Sequence, residues 1–161
     1  MPPETSRLIH RKAVLADVPA LVDLEQAFPL HDRFSRHAWA RLITGHTIVL
    51  IAEDDTGCIA GAGVVLLRKG TDIARLYSLA VSPAWRGKGV AAGLLAALEQ
   101  AAGQAGSRRM RLEVRASNSR AIQIYEAGGY AVLGELHNYY PDGEKALKME
   151  KFLREEQRRA Q

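Results

Sequence analysis

Several features that would direct the function of a chain of this size are scarce or absent in this sequence. Its 161 residues include one cysteine, Cys58, which excludes an internal disulfide framework and a cysteine-rich metal site. No apolar run approaches the roughly 18 residues that would span a bilayer. The first residues lack the charged-then-apolar pattern of a secretory signal. We therefore expect a cytoplasmic protein without a membrane segment.

Blocks of like charge are absent as well. The net charge is +4, but no run of about five like charges occurs. Dedicated nucleic-acid binding, which uses clustered cations with interleaved aromatic rings, is therefore disfavoured. His31, His46 and His137 do not have the mutual spacing of metal ligands, so no metal site is predicted. Cys58 falls within a predicted strand, where a buried and inert thiol is the favoured interpretation.

The apolar patterning predicts an α/β protein that forms one domain over residues 1–161. Hydrophobic residues make up 47% of the chain and charged residues 25%, as in ordinary globular proteins. Apolar or alternating segments predict about seven strands, at 7–14, 47–53, 58–67, 74–81, 109–116, 130–137 and 144–151. Spacings of three and four predict about four helices, at 18–28, 36–44, 89–104 and 119–127. Residues 1–6 are expected to be a disordered lead and residues 153–161 a charged tail.

The order of these elements predicts a mixed, mostly antiparallel central sheet flanked by helices. The strand–helix–strand unit over residues 74–116 should form a parallel crossover. Asp17 and Ser35 precede helical patterns and are predicted to be N-caps. Gly61 and Gly63 lie inside a predicted strand, where they indicate a bulge or a close approach of two backbones.

Residues 75–95 combine an apolar strand, a glycine-containing turn and the start of a long helix. Gly87 and Gly89 would let the backbone approach a ligand closely, and the helix start would offer unpaired N–H groups to a phosphate. The turn lacks the Lys-Ser/Thr of a Walker A loop and the third glycine of a dinucleotide motif. By itself it leaves a phosphate site and a plain solvent turn equally open.

A longer pattern in the same region resembles a known family. Arg86-x-x-Gly89-x-Ala91, after an apolar strand, resembles the acetyl-coenzyme A motif of the GNAT N-acetyltransferases. The resemblance covers about residues 74–150 and includes residues 112–118 and 121–130. Residues 138–143 resemble the RimI-like branch, whose members acetylate the N-terminal alanine of a ribosomal protein. The resemblance implies the GNAT fold and acetyl-CoA as the cofactor.

The resemblance also implies a role for individual residues. Main-chain groups at residues 79–81 would pair with the pantetheine arm like an added strand, and the N–H of Val81 would polarise the thioester carbonyl. Backbone N–H groups over residues 87–92 would hold the pyrophosphate. The implied cofactor-binding residues are Leu79, Ala80, Val81, Arg86, Gly87, Lys88, Gly89, Val90, Ala91, Ala92 and Asn118. Glu113 matches the general base, Tyr125 matches the general acid, and Tyr139 with Tyr140 are candidates for peptide binding.

The chemistry of amine acetylation agrees with these two catalytic assignments. A protonated amine must lose a proton before it attacks a thioester, and a departing thiolate gains one. Each of these residues also has an interpretation without a catalytic or cofactor role. Glu113 could form a structural ion pair with Arg111 and Arg115, and Tyr125 could be a core residue. Asn118 could be a helix cap that does not contact the cofactor, although both roles can coexist.

The acceptor amine stays open as well. We expect a peptide or protein amine, either an N-terminus or a lysine, and keep a small-molecule amine as the alternative. A non-catalytic domain that senses acyl-CoA is a third possibility. A monomer and a homodimer are both compatible with the sequence.

Overall fold

The structure is a computed structural model that describes residues 7–154. These residues contain seven strands: β1 Ile9–Lys12, β2 Thr47–Glu53, β3 Ile59–Leu66, β4 Ile73–Val81, β5 Arg109–Arg115, β6 Ala131–Leu136 and β7 Ala146–Phe152. They also contain four α-helices: α1 Val18–Leu24, α2 Arg36–Thr44, α3 Val90–Gln104 and α4 Ser119–Ala127. The predicted lead and residues 155–161 of the predicted tail lie outside this range.

The strands form one mixed sheet in the order β1-β2-β3-β4-β5-β7-β6. β4 and β5 are parallel and pair over residues 73–75 and 109–111, whereas β1 with β2, β2 with β3, β5 with β7 and β6 with β7 are antiparallel. The predicted mixed, mostly antiparallel sheet with a parallel crossover is thereby confirmed. None of the helices within residues 7–154 is long and apolar enough to cross a membrane.

The contacts divide the chain into two compact units. The first unit contains the described residues up to Leu66 together with Tyr77–Leu98, and the second contains Leu67–Leu76 together with the described residues from Glu99 onward. β4 and α3 each contribute residues to both units.

The core of the first unit lies among α1, α2, β2 and β3. Its buried members are Ala13, Val18, Leu21, Leu24, Trp39, Val49, Ile51, Ala62 and Val64. Helix α1 ends at Leu24 and continues as a 3-10 turn over Glu25–Ala27, so it is shorter than predicted. Phe28 has extended backbone angles, as expected for a residue before proline.

The two predicted N-caps have different outcomes. Ser35 Oγ accepts the N–H of Ala38 at 3.0 Å, which confirms the cap of α2. Asp17 does occupy the N-cap position of α1, but its side chain makes no capping hydrogen bond there. Its carboxylate instead accepts the N–H of Val14 at 2.7 Å and pairs with Arg11 at 2.9 Å. The hydrogen bond from Arg11 lowers the pKa of Asp17.

Cys58 is exposed, contrary to the prediction of a buried thiol. It precedes β3 because the turn before this strand is longer than the sequence pattern suggested. The carboxylate of Asp54 holds that turn by accepting the N–H groups of Thr56 and Cys58, each at 2.9 Å.

The second unit contains a strand with one buried face. Met110, Leu112 and Val114 of β5 are buried, and the residues that alternate with them are partly exposed, as predicted. Leu153, assigned by the sequence to the charged tail, is buried at 5% exposure, and its N–H donates to the carbonyl of Arg108 at 2.8 Å. The tail assignment is therefore wrong at its first residue.

A buried polar cluster also belongs to the second unit. The carboxylate of Glu99, which is 2% exposed, accepts hydrogen bonds from the Tyr130 hydroxyl at 2.9 Å and from Lys151 Nζ at 2.8 Å. Burial is the main cause that raises the pKa of the Tyr130 hydroxyl, followed by the charge of Glu99. The negative charge of the buried Glu99 carboxylate is thus balanced by the positive charge of the Lys151 ammonium.

Candidate active site

The glycine-containing turn of the first unit has the backbone geometry that the sequence suggested. Gly87 and Gly89 have φ angles of +75° and +78°, a region that residues with a Cβ rarely adopt. A Cβ built on either glycine would meet no heavy atom within 4 Å. The turn is therefore open toward solvent on that side, and its glycines are required by conformation.

Helix α3 begins directly after this turn, at Val90. The N–H of Gly93 donates to the carbonyl of Gly89 at 3.1 Å, which is the i to i−4 pattern of the first helical turn. The N–H groups at residues 90–92 precede that bond and have no intrahelical acceptor. They lie at the positive end of the helix dipole, a combination that binds phosphate.

Two cations flank the turn. Arg86 and Lys88 are both exposed, and Lys88 Nζ lies 5.2 Å from the centroid of the Trp85 ring. The open glycine turn, the helix start and these cations together fit a pyrophosphate group.

The end of β4 precedes this turn and is held closely by β3. The N–H of Ser82 donates to the carbonyl of Ala60 at 2.8 Å. A Cβ on Gly61 would lie 2.8 Å from the carbonyl oxygen of Ala80, so the predicted close approach of backbones is confirmed. The predicted bulge is present too, because the β2–β3 register shifts between Ala52 and Glu53. Leu79, Ala80 and Val81 are all partly buried.

Glu113 lies on β5 in the second unit, on the face opposite the buried residues, and its side chain is 16% exposed. Its Oε2 accepts the Nε–H of Arg75 at 2.9 Å. The predicted ion partners are engaged elsewhere: Arg111 with Glu150, and Arg115 with carboxylates of the β6–β7 loop. The alternative of an ion pair for Glu113 is therefore realised with a different partner, because Arg75 on the adjacent parallel strand reaches it.

Arg75 was not singled out as a site residue from the sequence. Its register partner in β5 is Arg111, two residues before Glu113. It also donates from Nη2 to the hydroxyl oxygen of Tyr139 at 3.0 Å. Arg75 therefore connects Glu113 with the loop between β6 and β7. Only knowledge of the β4–β5 register could have indicated that Arg75 contacts Glu113.

The two tyrosines of that loop contact each other edge to face, with ring centroids 5.0 Å apart. The guanidinium carbon of Arg115 lies 4.0 Å from the centroid of the Tyr140 ring, and this arginine pairs with Asp142 and Glu144 at 2.9 Å each. Tyr139 is 41% exposed. The loop thus presents one exposed tyrosine beside one that a cation holds in place.

Tyr125 lies on α4 and is partly buried, with its ring 5.9 Å from that of Tyr130. Burial, with a smaller contribution from Tyr140, raises the pKa of Tyr125 to about 12. The hydroxyl therefore carries its proton throughout the neutral range. Asn118 caps this helix, since its Oδ1 accepts the N–H of Ala121 at 3.2 Å. The predicted capping role is confirmed.

Residues 18–130 match the sequence model of the Acetyltransferase (GNAT) family, and the chain belongs to that family. This membership makes the chain an N-acetyltransferase with acetyl-CoA as the acetyl donor. The fold and the family suggested by the resemblance of residues 74–150 are thereby confirmed.

Three relatives illustrate the similarity. The [ribosomal protein bS18]-alanine N-acetyltransferase of Salmonella typhimurium is 34% identical over 129 residues, 78% of this chain and 82% of that protein. An N-alpha-acetyltransferase of Saccharolobus solfataricus is 37% identical over 89 residues, 55% of this chain and 51% of that protein. The crystal structure of the ribosomal-protein-S18-alanine N-acetyltransferase from Escherichia coli superimposes with a TM-score of 0.78 at 27% identity, over 91% of this chain and 94% of that one.

Proposed function

We propose that the acceptor of this N-acetyltransferase is the N-terminal α-amine of a protein. One relative is named for N-acetylation of an alanine of ribosomal protein bS18 and aligns over most of both chains. The other is named an N-alpha-acetyltransferase. The observation that carries the proposal is the chain of contacts from Glu113 through Arg75 to Tyr139, which connects a carboxylate with an exposed loop. An extended peptide end on that loop would bring its amine near the carboxylate.

The proposed cofactor contacts follow from the geometry of the turn and of β4. Acetyl-CoA supplies an acetyl group activated as a thioester. We assign its pyrophosphate to the N–H groups at residues 87–92, with Arg86 and Lys88 adding positive charge. The main chain at residues 79–81 is assigned to the pantetheine arm, and the N–H of Val81 to the carbonyl oxygen on which negative charge develops. Asn118 would contact the cofactor in addition to capping α4.

Glu113 is proposed as the base that removes a proton from the acceptor ammonium. Its Oε2 is occupied by the N–H of Arg75, so the ion pair holds the carboxylate in one orientation and leaves Oε1 to accept the proton. Amine deprotonation by a positioned group contributes typically about 100-fold or more to rate. Arg75 acts here as a positioning residue.

Tyr125 is proposed as the acid that protonates the departing thiolate. A phenol held neutral by burial can donate its proton, and the high pKa of Tyr125 keeps that proton available at every physiological pH. The attack is direct and needs no covalent enzyme intermediate.

The test is release of free thiol from acetyl-CoA in the presence of peptides. An Ala-starting peptide should support turnover, whereas the same peptide with a blocked N-terminus and an internal lysine should not. Equal turnover of the blocked peptide would move the acceptor from the α-amine to lysine. Turnover of small amines alone would overturn the peptide acceptor.

A matched pair of variants tests the cofactor turn. Gly89→Trp should abolish the rise in melting temperature that acetyl-CoA causes. Gly70→Trp replaces another glycine with positive φ (+81°) and open surroundings, so it introduces the same type of backbone strain outside the turn. It should keep the acetyl-CoA response. A response retained in Gly89→Trp would contradict the assignment of the turn.

A further inference from the structure

The charged face of β5 and β7, in the second unit, carries a lysine that the proposed roles do not use. This face lies opposite the buried residues of β5 and includes Arg111, Glu113, Arg115, Lys148 and Glu150. Lys148 is the register partner of Glu113 in the antiparallel pair of β5 and β7. The Cβ atoms of such partners lie about 5 Å apart on the same face of a sheet. Lys148 is therefore a direct neighbour of the proposed base.

The ammonium of Lys148 has no counterion within the described part of the chain. Glu113 is paired with Arg75 of β4 at 2.9 Å, and Glu150 is paired with Arg111. Arg115 pairs with carboxylates of the β6–β7 loop. Lys148 itself is partly buried and makes neither an ion pair nor a hydrogen bond with a described residue. A partly buried charge without a partner favours an incoming group of opposite charge.

The sheet beyond Lys148 is open toward its edge. Gly134 of β6 is the register partner of Lys148 on its other side, and β6 is the last strand of the sheet. A Cβ built on Gly134 would meet no heavy atom within 4 Å. Glu113, Lys148 and Gly134 thus form a row across three neighbouring strands. Adjacent strands lie about 4.8 Å apart, so the row is about 10 Å long.

This row has the length of the first few residues of an acceptor peptide. An extended chain advances about 3.3 Å per residue, so about three residues cover the row. An N-terminal amine at Oε1 of Glu113 would bring the second or third residue of the peptide beside Lys148. The flexible four-carbon stem of lysine lets the ammonium reach a carboxylate at either position. All residues of the row belong to the second unit.

We propose that Lys148 binds the carboxylate of an Asp or Glu at the second or third position of the acceptor, and that it is a specificity-determining residue. The inference rests on the proposed N-terminal acceptor with Glu113 as the base, and it narrows the substrate class to acidic N-termini. A second cation on the acceptor would meet the ammonium of Lys148. Lysine at these positions and polyamine acceptors are therefore disfavoured.

The test compares Ala-starting peptides that differ only in having Glu, Gln or Lys at the second or third position. For the parent enzyme, kcat/KM should be about five-fold higher with Glu than with Gln at the better position, the scale of one partly exposed ion pair. It should be lowest with Lys. Raising the ionic strength from about 0.01 M to about 1 M should reduce the Glu-to-Gln ratio, because the Debye length falls from about 30 Å to about 3 Å.

Variants of Lys148 assign this ratio to one side chain. Lys148→Gln should bring the Glu-to-Gln ratio close to one, and Lys148→Met is a second neutral replacement with the same expected result. Lys148→Arg keeps the charge and should keep the ratio. The control Lys69→Gln removes an equal charge from the exposed turn before β4 and should also keep the ratio. Each ratio is taken within one variant, so a general effect of the substitution on turnover cancels.

The outcomes separate the specificity from the proposed function. A ratio of one in the parent, a ratio that ionic strength leaves unchanged, or a ratio that survives in Lys148→Gln overturns the role of Lys148 and leaves the N-terminal acceptor intact. Absence of turnover with every peptide overturns the N-terminal acceptor and the inference with it. A melting temperature close to that of the parent shows that each variant is folded, so that a lost ratio reports on recognition.

Discussion

Replacing Gly61 with alanine should weaken both the fold and the binding of acetyl-CoA. The new Cβ would lie 2.8 Å from the carbonyl oxygen of Ala80 and about 3 Å from side-chain carbons of Leu94 and Val90. Ordinary contact begins at 3.4 Å, so the carbonyl has to retreat by about 0.6 Å. This carbonyl belongs to the segment of β4 assigned to the pantetheine arm.

The expected magnitudes follow from this displacement. Overpacking of a core position costs about 1–3 kcal/mol, and the lower chain entropy of alanine offsets about 0.4–1 kcal/mol of it. A net loss of about 1–2 kcal/mol lowers the melting temperature of a domain of this size by about 5 °C. Loss of one hydrogen bond to the pantetheine arm adds about a five-fold weaker Kd for acetyl-CoA.

The measurements are thermal unfolding and acetyl-CoA titration of Gly61→Ala beside Gly134→Ala. A Cβ at Gly134 meets nothing within 4 Å, and its φ lies outside the left-handed region. That control should therefore melt no lower than the parent. A Gly61→Ala protein with the parent's melting temperature would refute the close approach of β3 and β4 as a constraint. A lower melting temperature with unchanged affinity would refute the pantetheine contact at Ala80.

Three further predictions concern the second unit. Tyr125→Phe should lower kcat about 100-fold or more while the Kd for acetyl-CoA stays unchanged, and equal kcat would make Tyr125 a core residue. Because the pKa of Tyr125 rises from 10.0 to about 12 on folding, the protein should lose stability as pH rises between these values, and this loss should be smaller in Tyr125→Phe. Lys151→Met leaves the buried carboxylate of Glu99 without its cation and should cost about 3 kcal/mol in denaturant unfolding. The control Lys145→Met removes an exposed ion pair with Glu135 and should cost at most about 1 kcal/mol. Equal losses of unfolding free energy in the two variants would show that the buried carboxylate of Glu99 does not require the Lys151 ammonium.

The positions of helices and strands were largely predictable from local pattern. The alternation of apolar and charged residues in β5 and the glycines before and after α3 are local patterns, each formed by residues close together in the sequence. The folded chain contains the strand and the helix that these patterns predict. The first helix was predicted too long because its apolar spacing continues past Leu24. At that point the carboxylate of Glu25 turns inward to bond Phe34 and Trp39, a contact 14 residues away that no local pattern contains.

The candidate site likewise contains residues that the sequence predicts and contacts that it does not. Gly87, Gly89 and Glu113 could be named from a linear motif, because main-chain conformation and residue type are local properties. The partner of Glu113 could not, since Arg75 lies 38 residues earlier and reaches it only through the parallel register of β4 and β5. The exposure of Cys58 likewise depends on where the preceding turn ends.

The sequence by itself determined that the chain forms an α/β fold, that a glycine turn precedes a helix start suited to a phosphate, and that its motif is that of a GNAT N-acetyltransferase. Those properties depend on periodicity, backbone preference and a continuous motif. The tertiary structure decided which charges pair, which carboxylates are buried and that the rings of Phe34, Trp39 and Tyr77 pack together. Such properties depend on side chains brought together from distant parts of the chain, where burial removes water and makes a polar partner necessary for each buried charge.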